Sequence, residues 1–445
     1  MLNNFFKFDE NNTTLKTEIF AGITSFLAMA YILGVNPAIL ADAGMPQSGV
    51  FFATAFVAGI SSILMGILSR YPMGIAPGMG YNALFSYTIV VSMGKTWEVA
   101  LAAVFVSSII FLLISLSGLR DRIINLIPID LKLGIGAGIG LFLAFVGLQR
   151  CGIIVHHPST IVSMGSLLSP PALLAFLGIF ITLIFYVKKV PAFVFLTLII
   201  TSIIGLIFVL FGFGASNSLM PIIPKEIIST NMDTSLLFSF TKGFGELFSD
   251  ISNLILIVFS FVFLTLFDSI GTLIPLTHEC GFVDDDNQVQ GIKKAFLTVS
   301  LAGIIGSICG TSTPVIYLES ASGIGLGGRT GLTAIIIGVC FFLSIFFAPL
   351  ILSVFTAPVT SSALVIVGIL MIVQLSDVNW KDNVMASSVF MAILMMIFSY
   401  SITIGIAWGF VTYTIASIAA GRFKEIGWEI VGLAIIFMIF LLFRL

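Results

Sequence analysis

Charge is what this chain has least of. Asp, Glu, Lys and Arg together make up 9% of its 445 residues, against about 25% in soluble domains. A water-soluble globule is excluded on that ground. The net charge of −2 shows no basic excess, so no nucleic-acid surface is expected. Cys151, Cys280, Cys309 and Cys340 show no C-x-x-C spacing, which suggests neither a zinc site nor a redox pair. No paired metal motif and no nucleophile–base arrangement is visible, so an enzyme is not expected, nor a metal or cofactor. What remains is apolar: 58% of the residues are hydrophobic. The runs they form are long enough to cross ~30 Å of hydrocarbon and too continuous for barrel strands. An all-α polytopic membrane protein follows, because lipid forces the backbone to bond within its own segment.

The apolar runs predict spans near 17–38, 49–69, 75–92, 98–118, 131–149, 170–187 and 190–213. A polar connection containing Asn217, Lys225 and Asn231 follows. Further spans are predicted near 251–274, 293–309, 314–326, 330–354, 360–375, 384–419 and 428–443. The stretch 384–419 is too long for one simple span; as one bent helix or two, it leaves fourteen or fifteen segments. With the N-terminus inside, Lys7, Lys16, Arg70, Arg120, Arg122, Lys132, Lys188, Lys189, Lys293, Lys294, Arg329 and Lys381 face the cytoplasm. Lys95, Arg150, Lys225 and Lys242 face out. This excess predicts a cytoplasmic N-terminus in a multi-pass cell-membrane protein. The polar start, Met1 to Lys16, leads straight into a span, so no separate cleavable signal is expected.

The two halves look alike. In each, a long span, a polar turn and a second span precede a segment broken by Gly and Pro: 71–83 in the first half, 311–323 in the second. Seven spans before the repeat would invert the second copy. Paired interrupted segments at matching positions point to a transporter site. The second carries Glu319, and no Lys or Arg occurs from Ala295 through Gly328. A carboxylate at membrane depth costs roughly 2.5–3.5 kcal/mol on insertion scales, so it needs a partner, a proton or a water-filled cavity. Asp268 is the only acid between Asp250 and Glu279 and also falls inside an apolar span. Each acid is followed closely by glycine. They are candidates to receive N–H donors from a polar ligand or to take up a proton; the alternative is a hydrogen-bond anchor between helices. Asn82 offers a donor and an acceptor, or else serves as a local turn residue. Gly78 and Gly80 permit close backbone approach to a ligand. Tyr81 and Tyr317 have the shape to stack on a flat ring, though such residues more often pack. The stretch Gly325–Gly331 has the glycine count of a phosphate cradle without its spacing, and reads as a tight turn. Asp284-Asp-Asp286 reads as a solvated loop rather than a metal–diphosphate site, because a second acidic cluster is missing. His156 and His157 read as loop residues, and His278 as interfacial.

Gly74-Ile-Ala-Pro-Gly-Met-Gly-Tyr-Asn-Ala83, Phe267-Asp-Ser-Ile-Gly-Thr-Leu273, Gly310-Thr-Ser-Thr-Pro…Tyr317-Leu-Glu-Ser-Ala-Ser-Gly323 and Gly327-Gly-Arg-Thr-Gly-Leu332 resemble the azaguanine-type purine permeases. These form the hypoxanthine/guanine/adenine branch of the nucleobase:cation symporters, related to uracil and xanthine permeases. Glu18-Ile-Phe-Ala-Gly-Ile-Thr-Ser-Phe-Leu-Ala-Met-Ala-Tyr-Ile-Leu-Gly-Val-Asn-Pro37 is similar too, so the resemblance covers nearly the whole chain. It implies about fourteen spans in two inverted repeats of seven. Spans 1–4 (1–120) and 8–11 (251–356) would form a core domain, and spans 5–7 (121–215) and 12–14 (357–445) a gate domain. Residues 216–250 would connect them outside, and spans 3 and 10 would be half-helices after short strands. Asp268 and Glu319 fall on the family's substrate-binding acids, and Asn82 on a polar position of span 3; Gly78, Gly80, Tyr81 and Ser320 join them as expected contacts. Glu319 and Asp268 are the proton-coupling candidates. Thr265 stands where many relatives carry another acid, which argues against a two-carboxylate relay within span 8. The expectation is proton-coupled uptake of hypoxanthine and guanine, with adenine as the alternative substrate and an inorganic anion as a weaker one, since acids repel anions. The expected partners are the nucleobase, the proton and the bilayer, with a homodimer possible and no nucleic acid.

Overall fold

A helix closes its own backbone bonds, and in lipid that requirement sets the architecture. The structure, a computed structural model, describes residues 5–117, 128–249, 251–282, 291–422 and 427–443. The acidic run Asp284–Asp286 and the basic residues Arg120, Arg122, Lys424 and Arg444 lie outside the described residues. Among the described residues, eleven helices are long and apolar enough to cross a membrane.

The first apolar run gives two helices nearly end to end, α1 (Leu15–Met29) and α2 (Ile32–Ala41). The Thr14 hydroxyl accepts from the Thr17 amide to start α1, an N-cap of the usual kind. Helix α3 (Gln47–Leu64) continues as a π-helical turn, Met65–Ser69. Strand β1 (Ile75–Pro77) leads into α4 (Met79–Ala83), prolonged by a π-helical stretch, Leu84–Ser92. Then come α5 (Trp97–Ser117) and α6 (Ile129–Arg150). A hairpin of β2 (Ile154–His157) and β3 (Ile161–Met164) follows, then α7 (Pro170–Val187) and α8 (Phe193–Leu210).

The second half opens with α9 (Ile251–Cys280) and α10 (Ile292–Cys309). Helix α9 runs on through Pro275, six residues past the boundary predicted at 274. A β-carbon at Gly271, one turn before Pro275, would meet nothing within 4 Å. Strand β4 (Pro314–Ile316), a 3₁₀ turn at Leu318–Ser320 and α11 (Ala321–Gly325) form the second interrupted segment. Next are α12 (Gly331–Ser344) and α13 (Ala348–Val354), which together make one span, and α14 (Ala357–Ile372). The ambiguous stretch 384–419 is two helices, α15 (Asn383–Phe398) and α16 (Ile402–Ala419). They fold back on each other about Tyr400, whose φ of 56° is left-handed. Arg422 pairs with Asp382 at 2.5 Å where the two helices' far ends meet. Helix α17 (Trp428–Phe443) packs on α16.

Packing sorts the helices into two groups. Helix α12 lies on α1 and α3, and α10 and α9 on α5. Helices α14 and α15 lie on α6, α7 on α14 and α8, and α15 on α16. Small residues let the first group close up. A β-carbon at Gly331 would stand 2.0 Å from the Gly66 carbonyl oxygen, and one at Gly66 2.2 Å from that of Gly331, so only glycine fits on either side of this crossing. The two interrupted segments meet at the centre. β1 and β4 pair antiparallel, Ile75 opposite Ile316, Ala76 opposite Val315 and Pro77 opposite Pro314. Tyr317 N donates to Gly74 O (3.1 Å) and Gly78 N to Thr313 O (3.0 Å), which extends the ladder at both ends. All six strand residues are buried.

Candidate functional site

The strand pair positions the polar residues. Helix α4 and the turn carrying Glu319 start one residue beyond β1 and β4. Their side chains therefore spread from one point. The Ser320 hydroxyl accepts from Gly74 N (3.0 Å), tying the second segment to the first, and Ser62 brackets Ile75 through both its N–H (3.0 Å) and its carbonyl (3.2 Å). Tyr317 donates to Pro77 O at 2.5 Å. These bonds occupy groups that proline and the strand ends leave open.

Glu319 accepts a 2.6 Å hydrogen bond from Tyr31, which stands at the break between α1 and α2. Asp268, midway along α9, faces the hydroxyl of Tyr81, which also faces Thr265. The Tyr81 hydroxyl completes no hydrogen bond of ordinary geometry there. Thr265 gives its own proton to Phe261 O (2.7 Å). Neither Asp268 nor Glu319 is in an ion pair among the described residues. Both acids are partly buried and keep some accessible surface. From Asp268 the exposed residues Gly271, Ile274, Pro275, His278 and Glu279 follow one face of α9 to its end. Leu318, Gly325 and Leu326 are exposed along the second segment.

The other expected contacts sit as follows. Asn82 is fully buried; its Oδ1 accepts from the Ser312 hydroxyl, and its Nδ2 has no partner. Gly78 accepts from the amides of Tyr81 and Asn82 at its carbonyl (3.1 and 3.0 Å) and so opens α4. A side chain there would meet the Tyr81 ring at 2.5 Å. Gly80 lies against Ile139 of α6, 3.1 Å from where a β-carbon would be. Ser320 is buried with its oxygen engaged on Gly74. Tyr81 and Tyr317 line the same centre, with Tyr31 6.3 Å from Tyr317 ring to ring.

Sequence reasoning passed over two residues. Tyr31 lies in a quoted motif that gave it no role of its own. Glu18 opens the same quoted motif without a role of its own, and it is fully buried. Its carboxylate accepts from the amides of Arg329 (2.9 Å), Thr330 (3.2 Å) and Thr333 (3.2 Å) and from the Thr333 hydroxyl (2.6 Å). It thereby caps α12 across the two halves, where the helix dipole favours an anion. Arg329 turns its guanidinium onto Ile324 O (2.5 Å) and Gly328 O (2.9 Å). The glycine-rich stretch 325–331 is thus a turn clasped from both sides. No cluster of His, Cys, Asp or Glu able to hold a metal occurs among the described residues.

Two interrupted segments paired through short strands, with a partly buried carboxylate following the second and another facing the tyrosine that follows the first, are the arrangement of a membrane transporter. The fold agrees. The transmembrane domain of a cyanobacterial bicarbonate transporter, BicA, superposes with a TM-score of 0.64 at 15% identity, covering 88% of this chain and 97% of that one. SLC26A9 gives 0.63 at 11% identity, covering 94% and 68%. The chain belongs to the Permease family of the xanthine and uracil type, whose model matches residues 16–442. It is 40% identical to the guanine/hypoxanthine permease PbuG of Bacillus subtilis over 99% of both chains. It is 38% identical to the adenine permease AdeP of Escherichia coli over all of this chain and 96% of the relative. It is a permease and not an enzyme.

Proposed function

We propose that the chain carries purine nucleobases, hypoxanthine and guanine first, into the cell together with protons. The observation that carries this reading is the pair of partly accessible carboxylates, Asp268 and Glu319, each faced by a tyrosine and free of any ion pair among the described residues. Guanine and hypoxanthine present ring N–H groups, and guanine adds an amino group. A carboxylate accepts two such donors in plane. Glu319 takes the N–H edge while Tyr31 holds its second oxygen, and Asp268 takes a further donor beside Tyr81. Asn82 supplies the amide whose N–H₂ is still unpaired. Gly78 and Gly80 keep α4 close to the ligand, and Ser320 acts through the strand pair it fastens. An inorganic anion is disfavoured by the two acids.

The reading includes an architecture of fourteen spans in two inverted sets of seven, with α17 as a further C-terminal segment and the N-terminus in the cytoplasm. The group built on α1–α5 and α9–α13 is the core that holds the substrate. The group built on α6–α8 and α14–α16 is the gate against which it moves. Asp268 or Glu319 carries the driving proton, and proton and purine binding are linked. Adenine is the second reading, favoured by the 38% identity to an adenine permease.

The test is uptake of labelled hypoxanthine, guanine and adenine into vesicles, with and without an inward proton gradient. Accumulation that a protonophore collapses supports the proposal, and the three bases rank themselves. Uptake driven equally by sodium at fixed pH, or indifferent to both ions, overturns the coupling.

A further inference from the structure

Among the contacts that join the two groups of helices, one set gathers at the ends of α6 and α2. Arg150 is the last residue of α6, and Asp42 is the residue that closes α2. The Arg150 Nε stands 3.0 Å from Asp42 Oδ2, and its Nη2 donates to Ala38 O at 3.0 Å. Tyr87, on the π-helical continuation of α4, donates to the same Asp42 oxygen at 2.7 Å. Beneath this ion pair is an aromatic seal. The Tyr87 ring lies 5.5 Å from Tyr400 and 6.0 Å from Phe142, and Phe142 and Tyr400 are 5.2 Å apart. Tyr87 belongs to the α1–α5 group; Phe142 and Tyr400 belong to the other. A further contact crosses the same seam: Thr88 Oγ1 accepts from Ile402 N, the first residue of α16, at 3.0 Å. Tyr87 and Thr88 are buried. Toward the other end of α9, Gly271, Ile274, Pro275, His278 and Glu279 are exposed, and Lys132 of α6 stands 4.8 Å from the Phe267 ring.

We propose that Arg150, Asp42 and Tyr87 form the extracytoplasmic latch of the transport cycle. In the conformation seen these contacts hold the two groups together at that end, and the ion pair must part before the site faces out. The assignment of sides rests on the orientation proposed above, and the latch itself rests on which groups of helices the contacts join. A guanidinium held by both a carboxylate and a carbonyl stabilises one of two arrangements and none of the other, which is what shifts a two-state equilibrium.

The test needs no substrate, so it stands or falls apart from the nucleobase reading. Cys151, Cys280, Cys309 and Cys340 are replaced by Ser in the full-length chain. Single probes are then placed at Thr88→Cys, in the seam, and at Gly271→Cys, where a side chain meets nothing within 4 Å. A membrane-impermeant thiol reagent is applied to right-side-out and to inverted vesicles, and labelling after denaturation gives the amount of inserted protein. In Arg150→Ala and in Asp42→Ala, labelling at position 88 from outside is expected to rise about tenfold, the effect of losing one charge-assisted bond on an equilibrium. Labelling at position 271 from inside should fall. Arg150→Lys, which keeps the charge and loses the fork, should label between wild type and Arg150→Ala. Unchanged outside labelling in both alanine variants overturns the latch. So does a rise at 88 without a fall at 271, which marks a loosened protein rather than a reversed one. A lysine variant that labels like the alanine one overturns the role of the charge.

Discussion

Replacing Glu319 by Gln alters almost nothing in shape and reverses the chemistry of one edge. In the present arrangement Oε1 accepts from Tyr31 at 2.6 Å, and Glu319 keeps some accessible surface. Glutamine has one acceptor and one donor group. If its oxygen stays on Tyr31, its N–H₂ confronts the N–H of an oxopurine. If it flips, Tyr31 must become the acceptor and the ligand keeps one neutral bond. A hydrogen bond to a charged group contributes about 1.5–3 kcal/mol, and a neutral one about 1 kcal/mol. Losing one charged contact and weakening another therefore costs about 3 kcal/mol, roughly a 150-fold rise in Kd. Tyr31→Phe removes only the bond that steadies the carboxylate and should cost about 1 kcal/mol, roughly fivefold. The assay is equilibrium binding of labelled hypoxanthine to purified protein in detergent. Wild-type affinity in Glu319→Gln would falsify the assignment of Glu319 as a ligand contact. A loss in Tyr31→Phe as large as that in Glu319→Gln refutes the positioning role, because Tyr31 would then touch the ligand itself.

Three further outcomes are expected. Asp268→Ala should abolish uptake while the protein still inserts and elutes as a folded species in size-exclusion chromatography; near-normal uptake would reduce Asp268 to a packing anchor. Glu18→Ala leaves the amides of Arg329, Thr330 and Thr333 without their acceptor, at about 1–3 kcal/mol for an unsatisfied buried group. The melting temperature should drop clearly, with Glu18→Gln in between, and an unchanged melting curve would show that water replaces the carboxylate. The hydrogen bond from Arg422 holds the Asp382 carboxyl below the usual carboxylate range. Its contribution to stability is accordingly present above the ordinary Asp pKa and is lost as pH falls through the lowered one. The stability gap between wild type and Asp382→Asn, read by thermal unfolding, should be open at neutral pH and close at acid pH; a gap independent of pH would contradict the pairing.

The helices were legible because each must be long and apolar to cross the bilayer, and composition alone betrays that. The turn at Tyr400 was not, because neither glycine nor proline marks it; a tyrosine takes the left-handed φ, held in place by the rings of Phe142 and Tyr87. The end of α9 was placed six residues early because a membrane helix can run on through a proline, as α9 does at Pro275. The two acids stood out by their cost in hydrocarbon. Tyr31 and Glu18 did not. A tyrosine is ordinary packing until its oxygen is seen on a carboxylate 288 positions away in sequence. Glu18 lies near a polar start, and only the fold brings the Thr330 and Thr333 amides to it. The same holds for Asp42 and Arg150, each unremarkable at the end of its helix until the two ends are adjacent.

The pairing of β1 with β4 bears on how such a protein can change its cargo over evolutionary time. The bonds that join Gly74 to Tyr317 and Gly78 to Thr313 run between main-chain atoms, so they do not depend on which side chains the flanking residues carry. A lineage can replace the residues that read the ligand, one at a time, without dismantling the scaffold that aims them. A bicarbonate transporter keeps this fold at 15% identity. Mutational drift in selectivity should therefore concentrate at positions such as 82, 268 and 319, while the backbone crossing between them stays in register.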